Sequence, residues 1–572
     1  MVDWIFAVGL VFAILAAFNI GANDVSNSFA SSVASRSLTL RQACILGAIF
    51  EFLGAVLVGA RVAATVKTGI VAAAAFKGNA GVQMLGFAAA LVASGSWTML
   101  ATAKAWPVSS SYSIVSALAG VGIALNSKAV YWGWNGGSGL AVIWGGMGVA
   151  PLVAAAFASI IYLLSKHIVL ARAFSLRNGL WFSPFYFFAV AAVVTMSIVY
   201  KGSPTLNLDT LSTATVAVAI VLTSMVVTVL AVLFWLPYVY LRVVRKDYTL
   251  RWYHAFQGPL LWRRPAPPPT ESSAYQSPLT DYRVYDRQTT TTDESVEKTK
   301  KVRDAETGVL SVAATSAPSP SSDAPQNRAR QGLEPPASAR QTNNPREADD
   351  IEKRNLFVVA RYKLLQLLAH GTSVDVHKMV AEGSGADQLA AIHSQAQQFD
   401  NETEHLYSFL QVMTACTNSF AHGANDVGNA IAPFSVIYYG WKHGRVLNDD
   451  SEGTPTWILA FGGACMVLGI FTYGYNLMAI MGNRLTLISP SRGFSMAFGS
   501  AITVILSSLY AIPVSTTMCI TGATVGVGLV SGKGAVNWKA IGWIVLGWVI
   551  TIPVVGTLAG VITSVIVYGP HF

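Results

Sequence analysis

Asn19–Ser32 reads NIGANDVSNSFASS and Ala421–Ser435 reads AHGANDVGNAIAPFS, so one Gly-Ala-Asn-Asp-Val frame occurs twice in the chain. A second pair follows in the same order. Trp106–Leu125 reads WPVSSSYSIVSALAGVGIAL, and Ile512–Val530 reads IPVSTTMCITGATVGVGLV. Gly21 to Pro107 spans 86 residues and Gly423 to Pro513 spans 90. Two unrelated motifs at nearly equal spacing mark an internal repeat, the feature to settle before any other property of a fold.

Every one of these motifs sits in apolar sequence. About twelve apolar segments run along the chain, at residues 4–31, 40–63, 82–104, 107–126, 138–165, 181–200, 211–240, 404–439, 456–480, 494–511, 513–531 and 538–567. About 20 helical residues cross ~30 Å of hydrocarbon, and most segments reach that length. The first copy of the motif lies in segment one and the second in segment eight. An odd number of crossings lies between them, so the copies enter from opposite sides. The parity holds even if each Pro-Val-Ser pair is a hairpin that does not cross. The expected fold is an all-α polytopic membrane protein. It has about twelve membrane segments in two inverted-topology repeats with helical hairpins, plus a long cytoplasmic loop. Secondary transporters are built this way.

Composition agrees. Of 572 residues 53% are apolar and 12% are Asp, Glu, Lys or Arg, where a soluble domain carries about 25% charged residues. That excludes a soluble enzyme, a disordered chain and a nucleic-acid binder. The net charge of +9 is scattered or gathered in one central stretch, with no basic face for nucleic acid. Cys44, Cys416, Cys465 and Cys519 all fall in apolar runs, which offers neither a disulfide framework nor a metal spacing. The N-terminus carries Asp3 and no basic region or cleavage site, so the first apolar run is read as a retained span.

The chain divides into an N-terminal membrane half at 1–241, a loop at 242–403 and a C-terminal membrane half at 404–572. The first repeat lies at about 4–165, followed by two connecting spans; the second occupies the C-terminal half. From 264 to about 350 the loop is rich in Pro, Ser, Thr and charge, a composition for disorder. Residues 242–264 mix Arg242, Arg245, Lys246 and Arg251 with Trp252, Tyr253 and Trp262, which suits a membrane surface. Residues 355–400 read as an amphipathic helix. With the loop cytoplasmic, both termini lie outside. The short inner links then carry nine basic residues against seven in the outer links. The glycan acceptor pattern Asn401-Glu402-Thr403 would face the cytosol and stay bare.

A charged residue at the bilayer centre costs about 2.5–3.5 kcal/mol on insertion scales, so Asp24 and Asp426 need compensation. Asn23, Asn27, Asn425 and Asn429 stand beside them, and residues three or four apart share a helix face. Such a face offers carboxylate and amide oxygens to a cation such as Na⁺; a protonatable Asp would carry H⁺ instead. The plain alternative, an Asp that only fixes helix packing, weakens once two inverted copies are present. Pro107 and Pro513 each end one helix and begin another. The new helix presents free amides and the positive end of its dipole. Ser109, Ser110 and Ser111, or Ser515, Thr516 and Thr517, add hydroxyls there. That makes a cradle for a small oxyanion such as phosphate without any Arg. The plain alternative is an ordinary N-cap at a turn. Glu51 lies in segment two, and setting Gly54 on Gly469 and Gly59 on Gly474 gives it Met466 as counterpart. It is read as a coupling carboxylate, the plain alternative being a residue near a span end. Lys104 either attracts the anion, pairs with Glu51, or marks an aqueous boundary. No histidine base is expected among the polar residues.

At these residues the sequence resembles the PiT family of inorganic phosphate transporters, in particular its fungal sodium-dependent symporters. The resemblance covers both membrane halves and not the low-complexity loop. It implies a twelve-segment inverted-repeat carrier, with termini outside and phosphate uptake driven by Na⁺ or, in many plant and bacterial members, by H⁺. By position it implies that Asn23, Asp24, Asn425 and Asp426 bind ions and phosphate, and that Ser109–Ser111 and Ser515–Thr517 are phosphate-facing hairpin tips. The chain departs from the family where PVSTTH becomes PVSSSY at Tyr112 and PVSTTM at Met518. It departs again after Ser489–Ser495, where Met496 and Ala497 replace a hydrophobic residue and Glu.

The resulting expectation is a plasma-membrane Na⁺-coupled phosphate symporter, not an enzyme. Phosphate would bind at Ser109, Ser110, Ser111, Ser515, Thr516, Thr517, Asn23 and Asn425; Na⁺ at Asp24, Asn27, Asp426, Asn429 and Glu51. No cofactor is expected beyond the coupling ion, and the partners are phosphate, Na⁺ and lipid, with a homodimer and loop-directed kinases left open. H⁺-coupled uptake of phosphate or sulfate is the alternative within transport. A phosphate-binding receptor or channel is the alternative outside it.

Overall fold

The computed structural model describes residues 3–134, 139–200, 211–265, 280–282, 391–393, 395–449, 453–482, 484–532 and 534–569, with single positions 208, 372, 374 and 376. Most of the low-complexity loop, most of the 355–400 segment, and the link residues Lys201 and Lys533 lie outside the described residues.

The apolar segments become helices whose ends follow local chemistry. The first repeat contains α1 (Asp3–Ala34), α2 (Leu40–Val58), α3 (Ala60–Thr68), α4 (Ala80–Ala103), α5 (Ser110–Asn126) and α6 (Leu140–Leu170). Two connecting helices follow, α7 (Ser175–Val199) and α8 (Thr213–Val244). The second repeat contains α9 (Asn401–His443), α10 (Thr456–Tyr473), α11 (Tyr475–Met481), α12 (Pro490–Leu509), α13 (Thr516–Ser531) and α14 (Trp538–Tyr568). Nine described helices are long and apolar enough to cross a membrane. The 43-residue α9 is long enough but too polar to be among them, and α13 has only 16 residues.

Matched details recur in both repeats. The segments read as single at 40–63 and 456–480 are each two helices, broken at Gly59 and at Gly474. Pro151 lies inside α6 and Pro553 inside α14. The α4–α5 and α12–α13 hairpins turn through Ala105 (φ 52°) and Ala511 (φ 56°), left-handed conformations that cost a non-glycine residue about 1–2 kcal/mol. Trp106 stacks on Trp543 at 5.5 Å beyond the first turn, and Thr65 donates to the Ala511 carbonyl at 2.8 Å beyond the second.

The repeats interlock. Helices α1 and α9 pack side by side, α1 also against α4 and α10, and α9 against α12 and α2. Helix α5 lies along α14, and α13 along α6. Glycine sets how close these crossings come. A Cβ on Gly21 would overlap the Met466 carbonyl, and one on Gly423 would overlap that of Glu51. Gly54 meets the Phe420 carbonyl just as Gly469 meets that of Phe18. The register that pairs Glu51 with Met466 in sequence is therefore the register of the packing. Helix α8 stays outside, with Val218, Leu222, Met225 and Val229 exposed.

Helices α1 and α9 run antiparallel. At one end Asp3 accepts from Trp441 Nε1 at 2.9 Å; we call this the terminal end. At the other, Ser35 Oγ donates to Gln411 Oε1 at 2.8 Å, and Lys246 at the close of α8 pairs with Glu402 at the start of α9. This is the loop end. Here Asn401 Oδ1 accepts from the Tyr282 amide at 2.8 Å and its Nδ2 donates to the Thr280 carbonyl, so the side chain of the glycan acceptor is engaged by the chain itself.

Candidate functional site

Both motif aspartates are buried where α1 and α9 cross, Asp24 1% and Asp426 0% exposed. Asn27 joins Asp24 to Thr517 while the neighbouring Thr516 donates to Asp426, and the backbone of Glu51 in α2, whose side chain is also fully buried, packs against Gly423, three residues before Asp426. Three buried carboxyl groups thus come from three helices that pack on one another.

The asparagines tie this region to the hairpins by twofold-related bonds. Asn23 Nδ2 donates to the Val108 carbonyl at 2.8 Å and Asn425 Nδ2 to that of Val514 at 2.7 Å. Asn27 Nδ2 reaches Asp24 Oδ1 at 3.1 Å and Thr517 Oγ1 at 2.9 Å. Asn429 Nδ2 reaches Asp426 Oδ1 at 3.0 Å and Ser111 Oγ at 2.9 Å, with Ser110 Oγ at 3.2 Å. Each motif therefore grips the hairpin of its own repeat through the first Asn and the hairpin of the other repeat through the second.

The hydroxyls divide into two jobs. Ser109 and Ser515 are N-caps, accepting from the amides of Tyr112 at 3.1 Å and Met518 at 3.3 Å, as the plain alternative has it. Ser111 donates to Asp426 Oδ1 at 3.2 Å and Thr516 to Oδ2 at 2.8 Å. The first amides of α5 and α13 have no helical partner to donate to, and they belong to the same residues as these hydroxyls.

The two aspartates are held unequally. Asp426 collects Ser111, Thr516, Asn425 and Asn429. Asp24 has Asn27, and its Oδ2 has no hydrogen-bond partner among the described residues. The Oδ1 atoms of Asn23, Asn27, Asn425 and Asn429 and both Glu51 oxygens are likewise buried without a donor. Buried acceptors are normally satisfied, and a set of oxygens only is the hard-ligand chemistry of a small cation. No group of three His, Cys, Asp or Glu placed to hold a metal occurs among the described residues, so a cation here would rely on amide and hydroxyl oxygens as well.

Lys104 caps α4 at the hairpin turn and is exposed, and both buried Glu51 oxygens lack a hydrogen-bond partner, so the two do not pair. Ala497 and Met496 are buried in α12. His422 is absent from the set that the motifs single out. It is fully buried, and its Nδ1 lies 3.1 Å from Ser28 Oγ. The signal was four-residue spacing, since Asn418, His422 and Asp426 share one face of α9 and Asp24 and Ser28 one face of α1.

The phosphate transporter family (PHO4) matches residues 20–559. The chain belongs to the phosphate transporter family. Among relatives of this family, the phosphate-repressible phosphate permease pho-4 of Neurospora crassa is 39% identical over 100% of this chain and 98% of its own. Sodium-dependent phosphate transporter 2 of Felis catus is 28% identical over 99% of this chain and 98% of its own; that of Homo sapiens is 28% identical over 95% and 94%. A solved sodium-dependent phosphate transporter shares the fold, with a TM-score of 0.58, 22% identity and 98% coverage of each chain.

Proposed function

We propose that this member of the phosphate transporter family imports inorganic phosphate by Na⁺-coupled symport through alternating access. One observation carries the reading. Two inverted Asp residues meet in the interior beside Glu51, faced by the N-termini of two hairpin helices and by buried oxygens without donors. The named relatives that are sodium-dependent phosphate transporters support it.

The coupling follows from charge. Two carboxylates 4 Å apart repel by about 4 kcal/mol at an effective dielectric of 20, and a phosphate anion adds to that. Cations held by Asp24, Asn27, Asp426, Asn429 and Glu51 would offset the repulsion. Phosphate would then accept from the α5 and α13 amides and from the hydroxyls of Ser110 and Thr517, whose oxygens only accept from Asn429 and Asn27, and from those of Ser111 and Thr516 once a cation on Asp426 frees their protons, with Asn23 and Asn425 holding the tips. Ser109 and Ser515 would shape the tips as caps. Neither ion then binds well alone. The same proposal places the chain in the plasma membrane with both termini outside and the loop at 242–403 in the cytosol.

Radiolabelled phosphate uptake under cation replacement is the test. Uptake should require Na⁺, and Asp24→Asn or Asp426→Asn should abolish it while the protein still reaches the membrane. Uptake that follows a pH gradient without Na⁺ would assign H⁺ as the coupling ion. Equilibration without accumulation would assign a channel.

A further inference from the structure

The inverted repeat breaks its own symmetry on one side of the site. With Asp24 set on Asp426, α9 carries Gln411, Thr414, Asn418 and His422 where α1 carries Gly9, Phe12, Ala16 and Ile20. Beyond the motif α1 carries Ser28, Ser31 and Ser32, with Ser35 just past its end, where α9 carries Ala430, Pro433, Phe434 and Ile437. Only Asn19 against Ala421 and Ser435 against Val33 run the other way. Because the helices are antiparallel, both polar sets fall at the loop end, and both apolar sets at the terminal end. Contacts across the seam agree. Asn418 Nδ2 donates to the Asn27 carbonyl at 3.3 Å, and His422 faces Ser28. At the terminal end Phe6 lies 5.8 Å from Phe434 and stacks on Trp441 at 4.6 Å.

The polar half is not ordinary helix glue. The oxygens of Ser31 and Ser32, Asn418 Oδ1, His422 Nε2 and Gln411 Nε2 are buried with no hydrogen-bond partner among the described residues. Each such group costs stability, and among the described residues of the apolar half only Asn19 Oδ1 is left in that state. Donors, acceptors and hydroxyls alternate along the seam from Asp24 toward the loop end. Gln411 closes it there. Its Oε1 accepts from both Ser35 and Ser37 at 2.8 Å, and its amide lies where a Cβ on Gly493 would stand. One side chain thus joins the end of α1, helix α9 and the start of the second hairpin.

We propose that this seam lines the route by which the transported ions pass between the aspartate site and the loop end, with Gln411 as its latch. This rests on the symport reading above. The route wets when Gln411 lets go of Ser35 and Ser37, and its unpaired groups then replace part of the ions' hydration.

The test uses single cysteines in the full chain, with Cys44, Cys416, Cys465 and Cys519 replaced. Ser31→Cys, Ser32→Cys and Asn418→Cys should react with a charged thiol reagent roughly tenfold faster from the loop side of sealed vesicles than from the other side, since thiol reactivity follows exposure. Na⁺ with inorganic phosphate should slow the reaction. Gln411→Ala should speed it, and Phe434→Cys should not react from the loop side. Three positions are used so that one misfolded variant does not decide the outcome. Equal or absent loop-side labelling at the folded variants, or labelling indifferent to Gln411→Ala, overturns the route. Phosphate uptake by the cysteine-replaced parent is measured alongside. If the parent takes up phosphate with Na⁺ and labelling is flat, the route alone falls. If labelling is loop-sided but the parent does not transport phosphate, the symport reading falls and the seam stands as a water path.

Discussion

Asp24 and Asp426 stand in identical pentapeptides, yet their surroundings differ, and the difference is testable one side chain at a time. Thr516 gives Asp426 Oδ2 its shortest bond, 2.8 Å. A hydrogen bond to a charged group is worth about 1.5–3 kcal/mol, so Thr516→Val should weaken phosphate uptake roughly ten- to a hundredfold in kcat/KM, and Thr516→Ser should restore most of it. Among the described residues Glu51 has no donor, and Met466 fills the place of its counterpart. Glu51→Gln should therefore leave the protein folded and raise the Na⁺ concentration for half-maximal uptake, read from Na⁺ titrations at fixed phosphate; an unchanged Na⁺ dependence would remove Glu51 from the coupling set. The burial of both motif aspartates beside the hairpins was legible because the motif occurs twice, and a buried Asp in two copies has no casual explanation. Their wiring was not. Asn27 reaches Thr517 across the other repeat, and no local pattern announces a partner so far along the chain. His422 was missed for a related reason, since a repeated motif directs attention to shared positions and His422 faces Ile20 in the register.

Helix packing depends on glycine at the crossings. A Cβ on Gly423 would strike the backbone of Glu51, and one on Gly21 that of Met466. Overpacking against backbone costs about 1–3 kcal/mol, so Gly21→Ala and Gly423→Ala should each lower Tm in detergent and reduce uptake. Gly148 in α6 has nothing within 4 Å of the same position, and there the change should be neutral or stabilising by about 0.5–1 kcal/mol. Equal Tm shifts at all three would mean the crossings are looser than they look. The segments were legible as apolar runs of spanning length. The breaks at Gly59 and Gly474 were not, because a lone glycine inside a helical pattern is usually tolerated and only the matched pair reveals them. The caps at Ser109 and Ser515 show the opposite case. The sequence offered two uses for those hydroxyls, and only geometry separates a serine spent on its own helix from one turned toward a carboxylate.

At the scale of the whole molecule, two inverted copies imply two related conformations, one opening toward each end. In this structure Phe6 at the terminal end lies against Trp441 and Phe434, and Trp441 donates to Asp3. Inversion was legible from parity alone. The inequality of the ends was not, because it lies in how the copies differ and becomes directional only once α1 and α9 are seen to be antiparallel. If uptake proceeds by alternating access, the aromatic closure must part in every cycle. Phe6→Cys with Trp441→Cys, joined by a short cleavable thiol cross-linker, should stop phosphate uptake, and cleaving the linker should restore it. Each single variant treated alike controls for modification. Cross-linked protein should still bind Na⁺ and phosphate presented from the loop side, because the linker traps one conformation and leaves the aspartate site intact. Full uptake in fully cross-linked protein would mean that this end never opens. The ions would then have to cross between other helices, and the two-ended cycle implied by the inverted repeat would fail.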